Sequence, residues 1–589
     1  MIDQLRLAGD QFRAAWDNYL QVCSNINDYI TQDQLPQTPG FFQELTRELN
    51  RQLDLIYSYE PKIQEIIIAF SHARNHIRHA YDIPEMVSNQ HDVIAAFLSH
   101  GPNIQEIRDI NSHAPSYSPG TALINTLPPE ILIRIFHLVL ASPCNLHRIS
   151  SGTSPHYPRY PDYLAQVCSL WREATISNCS LWCHMDLSLE ETCYQRLTTR
   201  AERHLARAGT LPIELHITAS KNFDLSSTPC DFSDLYELVS RISGRVETLE
   251  FASKYFQDFQ HELFVRILLG QQSQSIFKRL VARSGTNDSH FPITPSSSEP
   301  GDLDQEFRPF MLNLTEGQIE NSFAPLTMLH LHGIFPIWSS KAYHGLVDLR
   351  LLPTNARISL KEAQFRTILE ASPGLRILHF GLFIRDSSPD TEKITRVHLQ
   401  DLRVVKVFPD YPLAGENLCP SKVLRLLAPG TKPLSLSFED YYIPSNTLLL
   451  EMERFFAISR VTRFYTRVVF PPMSLLLRHT SNLQLVVIDH FESFSEDEVF
   501  FTEPQVDESA SLPHLRSLHI ARSILSEGDL HMLFECCPDG IVLYSCDFIS
   551  TRRKLFDTER LSHDFPTVRV TDHNLYAWEA PTSDWDLIG

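Results

Sequence analysis

The sequence predicts a mixed α+β or α/β solenoid, in which a helical region and a compact helical motif precede an irregular array of short parallel strands. Three observations predict it. Apolar residues recur at steps of three and four through residues 1–112. A proline-opened helical pattern follows at 122–187. Beyond it, Leu-x-x-Leu-x-Leu-like segments begin at Leu326, Leu346, Leu375 and Leu402, at intervals of 20, 29 and 27 residues.

In the first region Phe12, Trp16, Tyr19 and Cys23 lie on one helical stripe. Phe42, Leu45, Leu49, Leu53 and Ile56 repeat it after Thr38-Pro39-Gly40, and Ile63, Ile67, Phe70 and Ile77 continue it beyond Pro61. An apolar stripe needs a second one to cover it, so residues 1–112 read as a helical hairpin or small bundle. The alternative is a self-pairing short coiled coil, although the run before Pro61 is only about two heptads. Residues 113–121 read as a linker from their Pro, Ser and Gly content.

The most informative stretch is Ile124-Asn125-Thr126-Leu127-Pro128-Pro129-Glu130-Ile131-Leu132-Ile133-Arg134-Ile135-Phe136. Proline suits the first turn of a helix, where its missing N–H costs little. Glu130 then sits near the positive end of the helix dipole. Ile131, Ile135 and Leu138 form one stripe, and Leu132, Phe136 and Leu140 a neighbouring one, so the helix has two apolar sides. Leu164, Val167, Cys168, Trp171 and Ala174 follow at helical spacing, with Asp162 expected as N-cap. A Leu181-Trp182 pair then closes the motif before a strand-like run.

In order and register, these segments resemble the F-box: a Leu-Pro-x-Glu-Ile-Leu opening, a Val-Cys-x-x-Trp-Arg centre and a Leu-Trp close. The departure from that pattern is a long Pro- and Tyr-rich insert at 142–160. The resemblance implies three helices that dock on a Skp-type adaptor, which in turn binds a cullin in an SCF (Skp–cullin–F-box) ubiquitin ligase. By matching position, Leu127, Pro128, Ile131, Ile135, Leu164, Val167, Cys168, Trp171, Leu181 and Trp182 are the candidates for adaptor contact or motif core. Sequence leaves the division between those two roles open.

Residues 188–589 carry the repeated segments, with further examples at Leu483-Gln484-Leu485-Val486-Val487-Ile488, Leu515-Arg516-Ser517-Leu518-His519-Ile520 and Val246-Glu247-Thr248-Leu249-Glu250-Phe251. Their spacing approaches that of leucine-rich repeats, in which the leucines enter the core of stacked parallel strands. A helix at 362–371 before Ser372-Pro373-Gly374 would complete one repeat. The Asn or Cys that usually follows such a strand is missing, so the alternative of an ordinary α/β domain stays open. An F-box followed by divergent repeats resembles the expanded F-box family of mushroom-forming fungi. The stretch from Leu205 to Leu215 also looks like that family's segment after the F-box: a helix, a Gly209 stop, and a strand carrying Ile213, Leu215 and Ile217 on one face. Between the leucines, Met328, His330, Arg350, His379, Lys406 and His519 face away from the core, and are the candidates for substrate contact. The stretches 284–306 and 491–511 read as solvated loops.

Lys and Arg total 51 against 71 Asp and Glu, a net charge of −20, which opposes binding to nucleic acid or to an anionic membrane surface. The eleven cysteines have no framework spacing and read as reduced thiols of the cytoplasm or nucleus. The sequence shows neither a signal-peptide pattern nor an apolar run of membrane-spanning length. The best metal-ligand grouping, Cys179, Cys183, His184 and Cys193, falls where the helical motif closes, so no metal or cofactor is expected. No nucleophile elbow, phosphate loop or zinc-protease motif is found. The expected function is therefore a non-catalytic adaptor that joins a Skp-type protein, and through it a cullin, to a target protein. The alternative is a ligase-independent interaction scaffold. Residues 1–112 are open to self-association, to packing on the motif or to another partner.

Overall fold

The computed structural model describes residues 129–140, 161–189, 191–219, 232–253, 258–271, 276–284, 290–296, 308–352, 358–385, 395–408, 420–439, 446–467, 473–479, 482–491, 515–538, 540–549, 567–571 and 582–586. They all belong to one unit, Gly120–Ser151 with Pro155–Gly589. The expected helices of 1–112, the linker 113–121, Leu127, Pro128 and most of the loop 491–511 lie outside the described residues.

The architecture is mixed α/β, with helices α1 (Pro129–Leu140), α2 (Leu164–Val167), α3 (Ser169–Ser177) and α4 (Glu191–Ala208) at its start. A 14-stranded sheet follows. Its strands are β1 (His184–Ser188), β2 (Ile213–Ala219), β3 (Val246–Ser253), β4 (Arg279–Ser284), β5 (Met328–His332), β6 (Asp348–Leu352) and β7 (Ile377–Phe380). The remainder are β8 (Val404–Val407), β9 (Leu434–Phe438), β10 (Val461–Arg467), β11 (Leu485–Asp489), β12 (Leu518–Ala521), β13 (Ile541–Tyr544) and β14 (Arg569–Thr571). They are laid down in chain order and every neighbouring pair is parallel. Parallel neighbours need a crossover, and helices such as Glu362–Glu370 and Glu527–Cys536 supply several.

Register explains the leucine pattern. One row runs from Met185 through Leu215, Leu249, Leu280, Leu329 and Leu349 to Ile541. A second, two residues along each strand, runs from Leu187 through Ile217, Phe251, Ala282, Leu331 and Leu351 to Val570. Residues i and i+2 of a strand share a face, so both rows enter the same core. The leading leucines Leu326, Leu346, Leu375 and Leu402 are buried beside them. All seven Leu-x-x-Leu-x-Leu-like segments thus supply strands of this sheet.

Small parallel sheets form a second layer. Ser359–Lys361 pairs with Phe383–Arg385, Val397–Leu399 with Leu427–Pro429, and Ile524–Ser526 with Asp547–Ile549. The stretch 284–306, read from sequence as a loop, contains the strand His290–Pro295, paired with Arg308–Leu312 and Ile334–Pro336. Ile293 is buried there and anchors a segment whose Ser and Pro content hid it. Among the described residues no helix is long and apolar enough to cross a membrane.

Candidate docking helix and candidate binding face

The helical motif closes around Leu132, Phe136, Leu164, Ala174, Leu181, Trp182 and Ala208, all buried. The Phe136 and Trp171 rings pack with centroids 4.8 Å apart. Trp182 Nε1 donates to Thr175 O at 2.8 Å, which satisfies the one polar group on a fully buried indole. The His204 ring meets Trp182 edge-on, and the Arg207 guanidinium lies 4.1 Å above it. Both come from α4, the first crossover of the sheet, so Trp182 joins the motif directly to the array.

That core divides the sequence candidates. Leu164, Leu181 and Trp182 are buried in it, and Trp171 is half-buried against Phe136. On the other side of α1, Ile131 is 50% exposed and Ile135 half-buried, while Val167 at the end of α2 is 60% exposed. Tyr163 and Ile176 are exposed as well. Cys168 does not continue a helix. Its backbone is extended, and its sulfur accepts from Trp171 N, capping α3 and splitting the expected single helix into α2 and α3. Asp162 is not an N-cap either; it accepts from Arg200 Nε at 2.9 Å and lies 3.8 Å from His204 Nε2. Burial raises its pKa, but the nearby His204 ring and the Arg200 guanidinium outweigh that and hold the carboxyl at about 2.

On the sheet face opposite the leucine rows, register aligns Asp186, His216, Glu250, Val281, His330, Arg350, His379, Lys406, Ser437, Tyr465, Val487 and His519 in a single row. Of the six residues proposed from sequence, five are in this row, and Met328 stands on the same face two residues along the strand. Arg350 is held from below by Asp348, whose two oxygens accept from its Nε and Nη2, each at 2.9 Å. His330 Nε2 lies 2.9 Å from the same carboxylate.

The middle of this row is covered by the chain itself. Asp586 Oδ2 accepts from Arg350 Nη1 at 2.8 Å, and its Oδ1 lies 3.1 Å from both His379 Nε2 and Lys406 Nζ. Lys406 Nζ also donates to Thr582 O at 2.8 Å, and Thr582 Oγ1 donates to Glu439 Oε1 at 3.1 Å. Trp585, 4% exposed, packs on Tyr465 and Val487. Burial lowers the His379 pKa to about 4, against the pull of Asp586, so near neutral pH an uncharged imidazole donates to a carboxylate. Burial opposes ionisation of Asp586, but His379, Arg350 and Lys406 together hold its pKa well below the usual carboxylate range.

No family model and no curated protein matches the chain.

At the start of the row lies a cluster that sequence reasoning missed. His184 Nδ1 is 3.2 Å from Glu214 Oε2, His184 Nε2 is 3.0 Å from Asp186 Oδ1, and His216 Nε2 is 3.1 Å from Glu214 Oε1. Among the described residues this is the group that could hold a metal ion, since one ligand atom each of His184, Asp186 and His216 lies within 4.8 Å of the others. Its imidazoles already meet carboxylates, and Arg200 Nη1 stands 3.9 Å from Asp186. His184 thus meets carboxylates, and Cys183 Sγ reaches Cys179 O. Tyr465 and Val487 of the row, and Glu439 just past β9, are further contacts of residues 582–586. Their signal in sequence was the i±1 relation to core residues of their own strands, which puts them on the opposite face.

Proposed function

We propose that the chain is the substrate-recognition subunit of an SCF ubiquitin ligase. It docks a Skp-type adaptor through the helical motif, reaches the cullin through that adaptor, and holds a target protein on the polar face of the strand array. The observation that carries this reading is the division within the motif. Leu132, Phe136, Leu181 and Trp182 close the core, and Ile131 and Val167 are left half or more in water beside it. Large apolar side chains gain by leaving water, so bare ones next to a complete core favour a protein partner. Fourteen parallel strands in chain order, with two core-facing rows dominated by Leu, Ile, Val and Phe, support reading the array as a divergent leucine-rich-repeat solenoid. The proposed role is non-catalytic: it raises the effective concentration of a target near the ligase's charged carrier.

Affinity purification with a Skp-type adaptor tests the reading. The Ile131→Glu/Val167→Glu variant, and separately Leu127→Ala/Pro128→Ala, should lose the adaptor and the cullin together while target capture persists. Undiminished recovery by both variants overturns the docking assignment and leaves a scaffold that binds targets without a ligase.

A further inference from the structure

Residues 582–586 lie along the polar row and touch side chains from six successive strand positions: Arg350 of β6, His379 of β7, Lys406 of β8, Glu439 just past β9, Tyr465 of β10 and Val487 of β11. The two leucine rows are closed on the opposite face, so this contact does not complete the core. What it meets has the make-up of a peptide site. Arg350 and Lys406 put two cations on one face of a chain whose net charge is −20, and they converge on one carboxylate. Lys406 also takes a main-chain carbonyl, a contact open to any peptide. Tyr465 and Val487 make an apolar seat for an indole, and Glu439 accepts a hydroxyl. A buried aromatic next to a desolvated charge pair is the usual composition of a binding hot spot.

We propose that this row is a recognition site for a protein segment in which an aromatic residue is followed directly by an acidic one, of the form Thr-x-x-Trp-Asp, and that residues 582–586 occupy it as an internal competitor that a target must displace. The proposal rests on reading this face as the target-binding one, and it names the class of target. A tethered segment acts at millimolar effective concentration. A free target must therefore bind more tightly than the internal copy, or arrive with the competitor already released.

The test uses the full chain and a fluorescein-labelled peptide of the 582–586 sequence, with binding read by anisotropy. The Trp585→Ala/Asp586→Ala variant, with its site opened, should bind this peptide at least about tenfold more tightly than the wild type. A peptide with alanine in place of both Trp and Asp should bind it at least about tenfold more weakly. Adding Lys406→Met, or separately the milder Arg350→Gln, should weaken the native peptide further, with circular dichroism confirming the fold. Equal binding by wild type and opened variant, no discrimination between the two peptides, or no binding by the opened variant at about 1 mM peptide each overturns the proposal. Adaptor recovery, measured on the same proteins, depends on Ile131 and Val167. Its loss counts against the ligase reading alone, and its retention without peptide binding counts against the internal competitor alone.

Discussion

Arg350 Nη1 donates to Asp586 Oδ2 at 2.8 Å across 236 residues of sequence. The guanidinium spends its Nε and Nη2 on Asp348 beneath it, and so reaches Asp586 already oriented. Pre-orientation reduces the side-chain entropy lost when the second carboxylate arrives. Replacing Asp586 by alanine removes the carboxylate shared by Arg350, His379 and Lys406. Hydrogen bonds to charged groups contribute about 1.5–3 kcal/mol each, and partial exposure here favours the lower end. Asp586→Ala should therefore lower the unfolding free energy by about 1–3 kcal/mol in urea titration. A change under about 0.5 kcal/mol would mean that the segment is not seated on this row.

The same groups set a pH profile. His379 has a folded pKa of about 4 against an ordinary 6.5, so between those values the unfolded chain takes up a proton that the folded chain refuses. Its contribution to stability is complete above 6.5 and declines as pH falls toward about 4. Asp586, Asp348 and Glu214 have depressed folded values, so their contribution is present above the unfolded carboxylate range and is lost as pH falls below it. The melting temperature should be flat just above neutrality, slope gently down between pH 6.5 and 4, and fall steeply below. His379→Asn should make the gentle segment shallower, leaving the share of other histidines with lowered values such as His330 and His519, and keep the steep one; an unchanged slope would remove His379 from the account.

The core was legible because it is local. Leu329 and Leu331 stand two apart on one strand, as do Leu349 and Leu351, and both pairs fill the leucine rows that alternation predicts. The turn at Gly209 was legible for a similar reason: its φ of +59° suits glycine, and it separates α4 from a strand whose Ile213, Leu215 and Ile217 are buried. What sequence hid was either a single atom's choice or a long-range contact. Leu164, Val167, Cys168, Trp171 and Ala174 fit one helix by spacing, yet the Cys168 sulfur caps the next turn and breaks it. Asp162 had the right chemistry for a cap but finds Arg200 instead. Nothing near Trp585 in the chain points to Tyr465 and Val487, because their meeting depends on how many strands intervene.

Trp182 and Val167 should separate folding from docking. Trp182 is fully buried among Leu132, Phe136 and Leu181, with its indole N–H on Thr175 O. Truncating a buried large aromatic costs about 3–5 kcal/mol, so Trp182→Ala should melt the motif early and lose the adaptor as a consequence. Val167 is 60% exposed, and exposed substitutions usually stay within about 0.5 kcal/mol. Val167→Ala should therefore leave the melting curve in place and weaken adaptor recovery. If Val167→Ala lowers the melting temperature as much as Trp182→Ala does, Val167 belongs to the core and not to the docking surface.

The cysteines report on the other end of the array. Among the described cysteines, Cys179, Cys183, Cys536 and Cys546 are free thiols. Burial pushes Cys536 from an ordinary 9.0 to about 11, with the neighbouring Glu535 charge adding to the effect. Burial moves Cys546 to about 11 as well, outweighing backbone hydrogen bonds with Ser523 and Tyr544; its thiol also reaches Ile520 O of β12. Because the thiolate is the reactive form, a rise of about two units leaves roughly a hundredfold less of it near neutral pH, before access is considered. Cys179 is exposed at the close of the helical motif. Timed iodoacetamide labelling of the native protein, read by peptide mass spectrometry, should modify Cys179 before the other described cysteines and leave Cys536 and Cys546 unlabelled until denaturant is added. Labelling of Cys546 at the rate of Cys179 would mean that β12 and β13 do not close over it, and that the array is open at this end.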